Sequence, residues 1–155
     1  MSQRARLRIA IVGVCGSGKT VLADALQGLG YNARAMAQEH SFIPGMWRAH
    51  GQPNALICLD AEAETVNRRL GRDDWTAAAI AEQRRRLGDA LSYCDLHVVT
   101  DDLTAAQVLE QVLAFLRAGW PEDGEPGPAA PTEPERRWRL AKGGTRPRKP
   151  GRRQR

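Results

Sequence analysis

The chain has 155 residues, is 42% hydrophobic and carries a formal net charge of +5. That length and apolar share suit one globular domain with its own core, and no run approaches the roughly 18–20 apolar residues of a membrane span. Three scattered cysteines, Cys15, Cys58 and Cys94, exclude a disulfide framework and point to a reducing, cytoplasmic setting. The first residues include arginines but no long apolar stretch with a cleavage site, so no secretory signal is expected. His40, His50 and His97 show no ligand spacing with one another or with the cysteines, so no structural metal site is expected. The charge is unevenly placed: residues 1–120 hold 13 basic and 13 acidic side chains, whereas residues 121–155 hold 10 basic and 5 acidic ones.

The first element is an apolar, β-rich run, Arg6–Val12. It leads into Gly13-Val14-Cys15-Gly16-Ser17-Gly18-Lys19-Thr20, which fits G-x-x-x-x-G-K-[ST], the Walker A phosphate loop. Gly13, Gly16 and Gly18 let the backbone wrap closely. The loop N–H groups then form an anion nest to which the next helix adds its positive end. Lys19 is expected at the β- and γ-phosphates, and the Thr20 hydroxyl at Mg²⁺. Between Met1 and Trp120 Lys19 is the only lysine; every other basic residue there is arginine. Cys15, inside the nest, is either a thiol of lowered pKa or an unconstrained loop position.

The spacing predicts a first helix over Lys19–Leu29, with Leu22, Leu26 and Leu29 buried and Gly30 as its stop. Asp24 falls on its exposed face. Tyr31–Ala37 reads as a short second strand, ending at Gln38-Glu39-His40-Ser41. Residues 42–54 read as irregular, with one helical turn at Gly45–Ala49, because Pro44, Gly45, Gly51 and Pro53 stop anything longer. Phe42, Ile43, Pro44, Met46 and Trp47 form an apolar cluster there. It either lines a pocket or partner surface or packs down over the sheet.

Ala55–Asp60 is apolar almost throughout, as a strand covered on both faces must be. Helix is predicted over Ala61–Leu70 and again from a cap at Asp73 or Asp74 through Leu91. Leu96–Thr100 is the last strand. Thr104-Ala105-Ala106-Gln107 is a capping box, and Val108, Val112, Phe115 and Leu116 give the final helix an apolar face. Strands alternating with helices imply an α/β fold, a three-layer parallel sheet of about four to five strands flanked by helices. The nucleotide-binding domain is read as residues 1–120. Residues 121–155, rich in Pro and Gly and then basic, are read as a disordered tail. Arg136–Arg155 is a candidate contact for nucleic acid or another polyanion, or a solubilising terminus.

Phosphoryl transfer needs a carboxylate near Mg²⁺, an oriented acceptor and positive charge on the transferred group. Asp60, at the end of Leu56-Ile57-Cys58-Leu59, has the form of a Walker B carboxylate; its alternative role is a helix N-cap. Glu39, the first acid after Asp24, is the other candidate; its alternative is a solvated loop acid. Arg68, Arg69 and Arg72 are either phosphate-facing guanidiniums or a solvated helix face. Arg84-Arg85-Arg86 carries the same two readings, and the solvated face is preferred because three consecutive helical positions span too wide an arc to face one ligand.

The phosphate loop, the strand ending Leu59-Asp60, Glu64-x-x-x-Arg68-Arg69-Leu70-x-Arg72, Cys94–Thr100 and the final amphipathic helix together resemble the small P-loop kinases, the nucleoside-monophosphate and shikimate kinases among them. The resemblance covers about residues 6–117. It implies a P-loop NTPase fold, ATP and Mg²⁺ as cofactors, transfer of the γ-phosphoryl to a small acceptor, and Arg69 and Arg72 as lid arginines. It also makes Asp60 structural and moves the acceptor or metal role to Gln38-Glu39-His40. The rival reading is a nucleotide-dependent switch acting on a protein partner. The short 38–54 segment favours it, but the chain has no Asn/Thr-Lys-x-Asp guanine signature.

Overall fold

The computed structural model describes residues 2–121, so the tail expected to be disordered and basic lies outside the described residues. Strands β1 (Arg8–Gly13), β2 (Asn32–Ala35), β3 (Ala55–Asp60) and β4 (Leu96–Val99) form one parallel sheet in the order β2-β1-β3-β4. Helices α1 (Gln3–Arg6), α2 (Lys19–Gly28), α3 (Ala63–Leu70), α4 (Ala77–Arg86), α5 (Gly88–Tyr93) and α6 (Ala105–Gly119) complete it, with 3-10 turns at Gln38–His40 and Met46–Arg48.

The alternation of a strand divides the core in two. Ile9 and Ile11 of β1 and Ile57 and Leu59 of β3 point to one face. There they pack with Leu22 and Leu26 of α2 and Val112 and Leu116 of α6. Ala10, Val12, Leu56 and Cys58 point to the other, against Val66 of α3, Ile80 of α4, Ala90 of α5 and Trp47. Helices therefore cover both faces, which is why β1 and β3 are apolar on both. The chain passes from β1 to β2 on one side and then returns to the other side of β1 for β3. A crevice beyond the carboxyl ends of β1 and β3 follows from that switch of direction.

Several boundaries differ from the sequence expectation, each for a local reason. The first strand starts at Arg8, because Ser2 accepts a hydrogen bond from Ala5 N (3.3 Å) and opens the short α1. Asp60 does not cap the helix that follows. Its Oδ1 accepts from Ala61 N and Arg84 Nε, both at 3.0 Å, and α3 starts later, at Ala63. Asp101 acts in its place, accepting from Glu62 N (2.9 Å) and Thr65 Oγ1 (2.6 Å). The next helix is capped by Thr76, not Asp73 or Asp74, with Ala79 N on its Oγ1 at 3.1 Å. Asp74 is engaged by Arg72, and the Asn67 side chain holds both Trp75 N and Trp75 O at 3.0 Å. That helix divides at Leu87 into α4 and α5. The capping box at Thr104 and Gln107 forms as expected.

Candidate functional site

The turn Gly13–Thr20 joins the carboxyl end of β1 to the start of α2. Its glycines are required by geometry. A Cβ on Gly13 would clash with the Leu59 carbonyl and with Ser17 Oγ, and Gly16 and Gly18 take φ of 74° and 99°, which L side chains rarely adopt. α2 begins at Lys19 without a side-chain cap, so the N–H groups of its first turn have no acceptor within the helix. The Cys15 N–H donates to Gln83 Oε1 of α4 at 2.7 Å, which ties the turn to the helix layer behind it.

Lys19 folds back over this turn. Its Nζ donates to the carbonyls of Gly13 (3.0 Å) and Val14 (3.2 Å) and lies 3.2 Å from Glu39 Oε1. Glu39 is only 3% exposed and Lys19 12%. A buried carboxylate is expensive unless a cation goes in with it, and here the cation is the chain's one lysine before Trp120. Glu39 Oε2 and Ser17 Oγ are buried without a hydrogen-bond partner, and buried polar atoms of that kind ask for a further ligand. His40 Nε2 stands 3.6 Å from Glu39 Oε1.

Glu39 is positioned from behind. Arg86 Nη1 donates to the Glu39 carbonyl at 3.2 Å. Gln38, fully buried, donates to Ile43 O (2.9 Å) and accepts from Trp47 N (2.8 Å). The apolar cluster of residues 42–47 therefore divides. Trp47 packs into the core, while Phe42 and Ile43 stay 81% and 68% exposed, with the Arg86 guanidinium 4.5 Å from the Phe42 ring centre.

The turn opens onto a cleft of about 870 Å³. Residues Cys15–Thr20, Glu39, His40, Arg69 and Thr100 line its polar side, and Leu70, Leu103, Ala106 and Leu109 its apolar side. Arg69 Nη1 donates to Gly16 O (3.0 Å) and Thr100 Oγ1 (2.9 Å), and its Nη2 to Thr100 O. Thr100 Oγ1 in turn lies 3.2 Å from Ser17 O and 3.1 Å from Asp60 O. One arginine and one threonine thus lock the turn to the ends of β3 and β4.

The expected site residues separate into two groups. Gly13 through Thr20, Glu39 and Arg69 come together around the turn, and all but Gly13 and Val14 line the cleft. Asp60 and Arg72 are not among the lining residues. Asp60 faces Arg84, whose other arm holds Glu62 Oε1 at 2.9 Å. Burial works against the Arg84 charge, but these two carboxylates outweigh it and raise its pKa. Arg72 is exposed and forked onto Asp74, which raises the one pKa and lowers the other. Gln83 and Thr100 also hold the turn, and no local pattern marks Gln83. Cys58 is sealed in the core, and burial, then the neighbouring Cys94, push its thiol pKa well up. No group of three or more histidine, cysteine or acidic residues that could hold a metal ion occurs among the described residues, and no helix among them is long and apolar enough to cross a membrane. Comparison with family models and with curated proteins finds no match to this chain.

Proposed function

We propose that the chain is a P-loop NTPase of the small-kinase kind, binding ATP at the Gly13–Thr20 turn and transferring its γ-phosphoryl to a small acceptor. The observation that carries this reading is the pairing of Lys19 with the buried Glu39 over a turn built of obligatory glycines. The residues fit Mg-ATP. Lys19 and the N–H groups at the start of α2 would hold the phosphates. Thr20, exposed in the cleft, and Glu39, with its free Oε2, would serve the metal. Mg-ATP supplies the transferable phosphoryl group and the divalent charge. Leu70, Leu103, Ala106 and Leu109 would take the flat face of a nucleobase.

The rest of the work falls to side chains already in place. Besides Glu39, Lys19 rests on two neutral carbonyls, and phosphate oxygens are stronger acceptors than those carbonyls. Arg69 spends its donors on the turn and on Thr100 and acts as a positioning residue that holds the turn by the Gly16 carbonyl. Arg72, held by Asp74, would join only after that pair opens. His40, beside Glu39 at the cleft mouth, stands where an acceptor hydroxyl would enter.

A second reading, a nucleotide-dependent switch acting on a protein partner, is favoured by the exposed Phe42 and Ile43 next to Glu39. ATP turnover separates the two: acceleration by a pool of small metabolites, lost in Lys19→Ala, supports the kinase. Turnover that responds only to a protein and falls in Phe42→Ser supports the switch. Arg136–Arg155, outside the described residues, enters this reading as a polyanion contact. Equal RNA affinity of the full chain and of residues 1–120 would remove it.

A further inference from the structure

On the sheet face that carries Ala10, a small open pocket of about 130 Å³ lies between β1, β2 and the segment that leads into β3. Ala10, Met36 and the buried Trp47 form its floor, and Arg8, Arg34 and His50 its rim. No carboxylate is among its lining residues.

The register explains how the arginines meet. Arg8 pairs with Asn32 and Ala10 with Arg34 in the parallel ladder. Residues two apart share a face, so Arg8 and Arg34 are diagonal neighbours on one side of the sheet. Arg8 is held from the next segment. Its N–H donates to Asn54 Oδ1 (2.9 Å), and Asn54 N donates back to Arg8 O (2.8 Å). Gly51, at φ 96°, lets the backbone pass so close that a Cβ would stand 3.1 Å from Arg8 Nη1. The Arg8 guanidinium therefore lies close against the Gly51 backbone.

Five other arginines of the domain are paired with acids. Arg48 meets Asp89, Arg72 meets Asp74, Arg84 meets Asp60 and Glu62, and Arg85 and Arg86 meet Glu82. Among the described residues the side chains of Arg8, Arg34 and His50 make no hydrogen bond and no ion pair. Like charges on one sheet face oppose each other, and a bound anion removes that cost.

We propose that this pocket is a second anion site, which takes a tetrahedral oxyanion: inorganic phosphate or the phosphoryl end of a small phosphate monoester. The pocket exceeds the roughly 30 Å³ share of one water and is of the size of a single such group. Basic side chains from three segments, Arg8, Arg34 and His50, line it; donors from several directions suit four oxygens arranged in a tetrahedron better than a planar carboxylate, and a guanidinium fork matches two of those oxygens at once. Met36 lines both this pocket and the cleft, so an occupant here would touch the wall of the other site. The proposal does not depend on what the cleft binds.

The test uses the full chain with Lys19→Ala, which removes the one cation of the turn, and the R34Q comparison assigns the remaining binding. Inorganic phosphate is titrated in one arm and glycerol 3-phosphate in the other, by calorimetry and by the NMR signals of the arginine Nε–H groups. Saturable binding is expected for at least one probe, with the Arg8 and Arg34 signals shifted. Adding R8Q or R34Q should weaken it about tenfold, the loss of one charge-assisted contact. Arg34 is exposed, so R34Q keeps the test valid if R8Q fails to fold. The stronger arm identifies the source of the phosphoryl group. Affinity unchanged by R34Q, no saturation with either probe, or binding only of a long oligonucleotide with steep salt dependence would overturn the proposal.

Discussion

Strand β1 ends in two opposite charge environments. At its carboxyl end a cation, Lys19, is drawn into the protein and meets the buried Glu39 at 3.2 Å. At its amino end two cations, Arg8 and Arg34, share a sheet face on an open edge with no acid lining their pocket. The contrast shows where water has done the balancing. An enclosed charge is kept only with its counter-charge, whereas an edge charge stays solvated until an anion displaces the water. The first end is set by the fold before any ligand arrives; the second is not.

The comparison can be broken most severely at Trp47, which floors the amino-end pocket, whose indole N–H donates to Asp89, and whose backbone N–H donates to Gln38 next to Glu39. Trp47→Ala should cost about 4 kcal/mol in urea unfolding and disturb both ends together. Next, Lys19→Met leaves Glu39 buried without a cation and should cost about 3 kcal/mol. Adding Glu39→Gln should restore most of that loss, and a double mutant no more stable than Lys19→Met would mean the pair is not coupled. Asp101 tests the carboxyl end from the helix side. Burial alone would raise its pKa, but the Thr65 hydroxyl and Glu62 N–H lower it on balance. A depressed folded pKa means that its stabilisation is full above the ordinary carboxylate range and is lost as pH falls through the folded value. Asp101→Asn keeps an acceptor but loses its charge, and should therefore cost about 1 kcal/mol at neutral pH and flatten the acid side of the stability profile. The smallest effect sharpens the contrast. Arg34→Gln in phosphate-free buffer should change stability by no more than about 0.5 kcal/mol, because that charge has no partner to lose.

What was legible in the sequence follows the range of the interactions. The Gly13–Thr20 turn between a strand and a helix, and the Thr104–Gln107 capping box, are written in neighbouring residues, and both stand where the spacing put them. Glu39 was legible only as an acid at a strand end, since the 3-10 turn that brings it to Lys19 depends on Gln38 and Arg86. Asp60, read as a Walker B carboxylate or a helix cap, lies outside the cleft lining and caps no helix, and Asp74 caps none either, because Arg84 further along and Arg72 just before claim their oxygens. Gln83 on Cys15 and Arg69 on Thr100 span 68 and 31 residues; no local pattern encodes such pairs. Equally, nothing in Arg8 or Arg34 alone announces their meeting, which exists only in the register of β1 with β2.

The central claim is that Lys19 and its turn hold nucleotide phosphates, and its most direct test is ATP affinity measured with Mg²⁺ for the native chain and for Lys19→Ala. The account predicts saturable binding by the native chain, lost in Lys19→Ala while the Lys19→Ala chain retains its folded circular dichroism spectrum. Equal ATP affinity in both chains, or no binding in either, would contradict it.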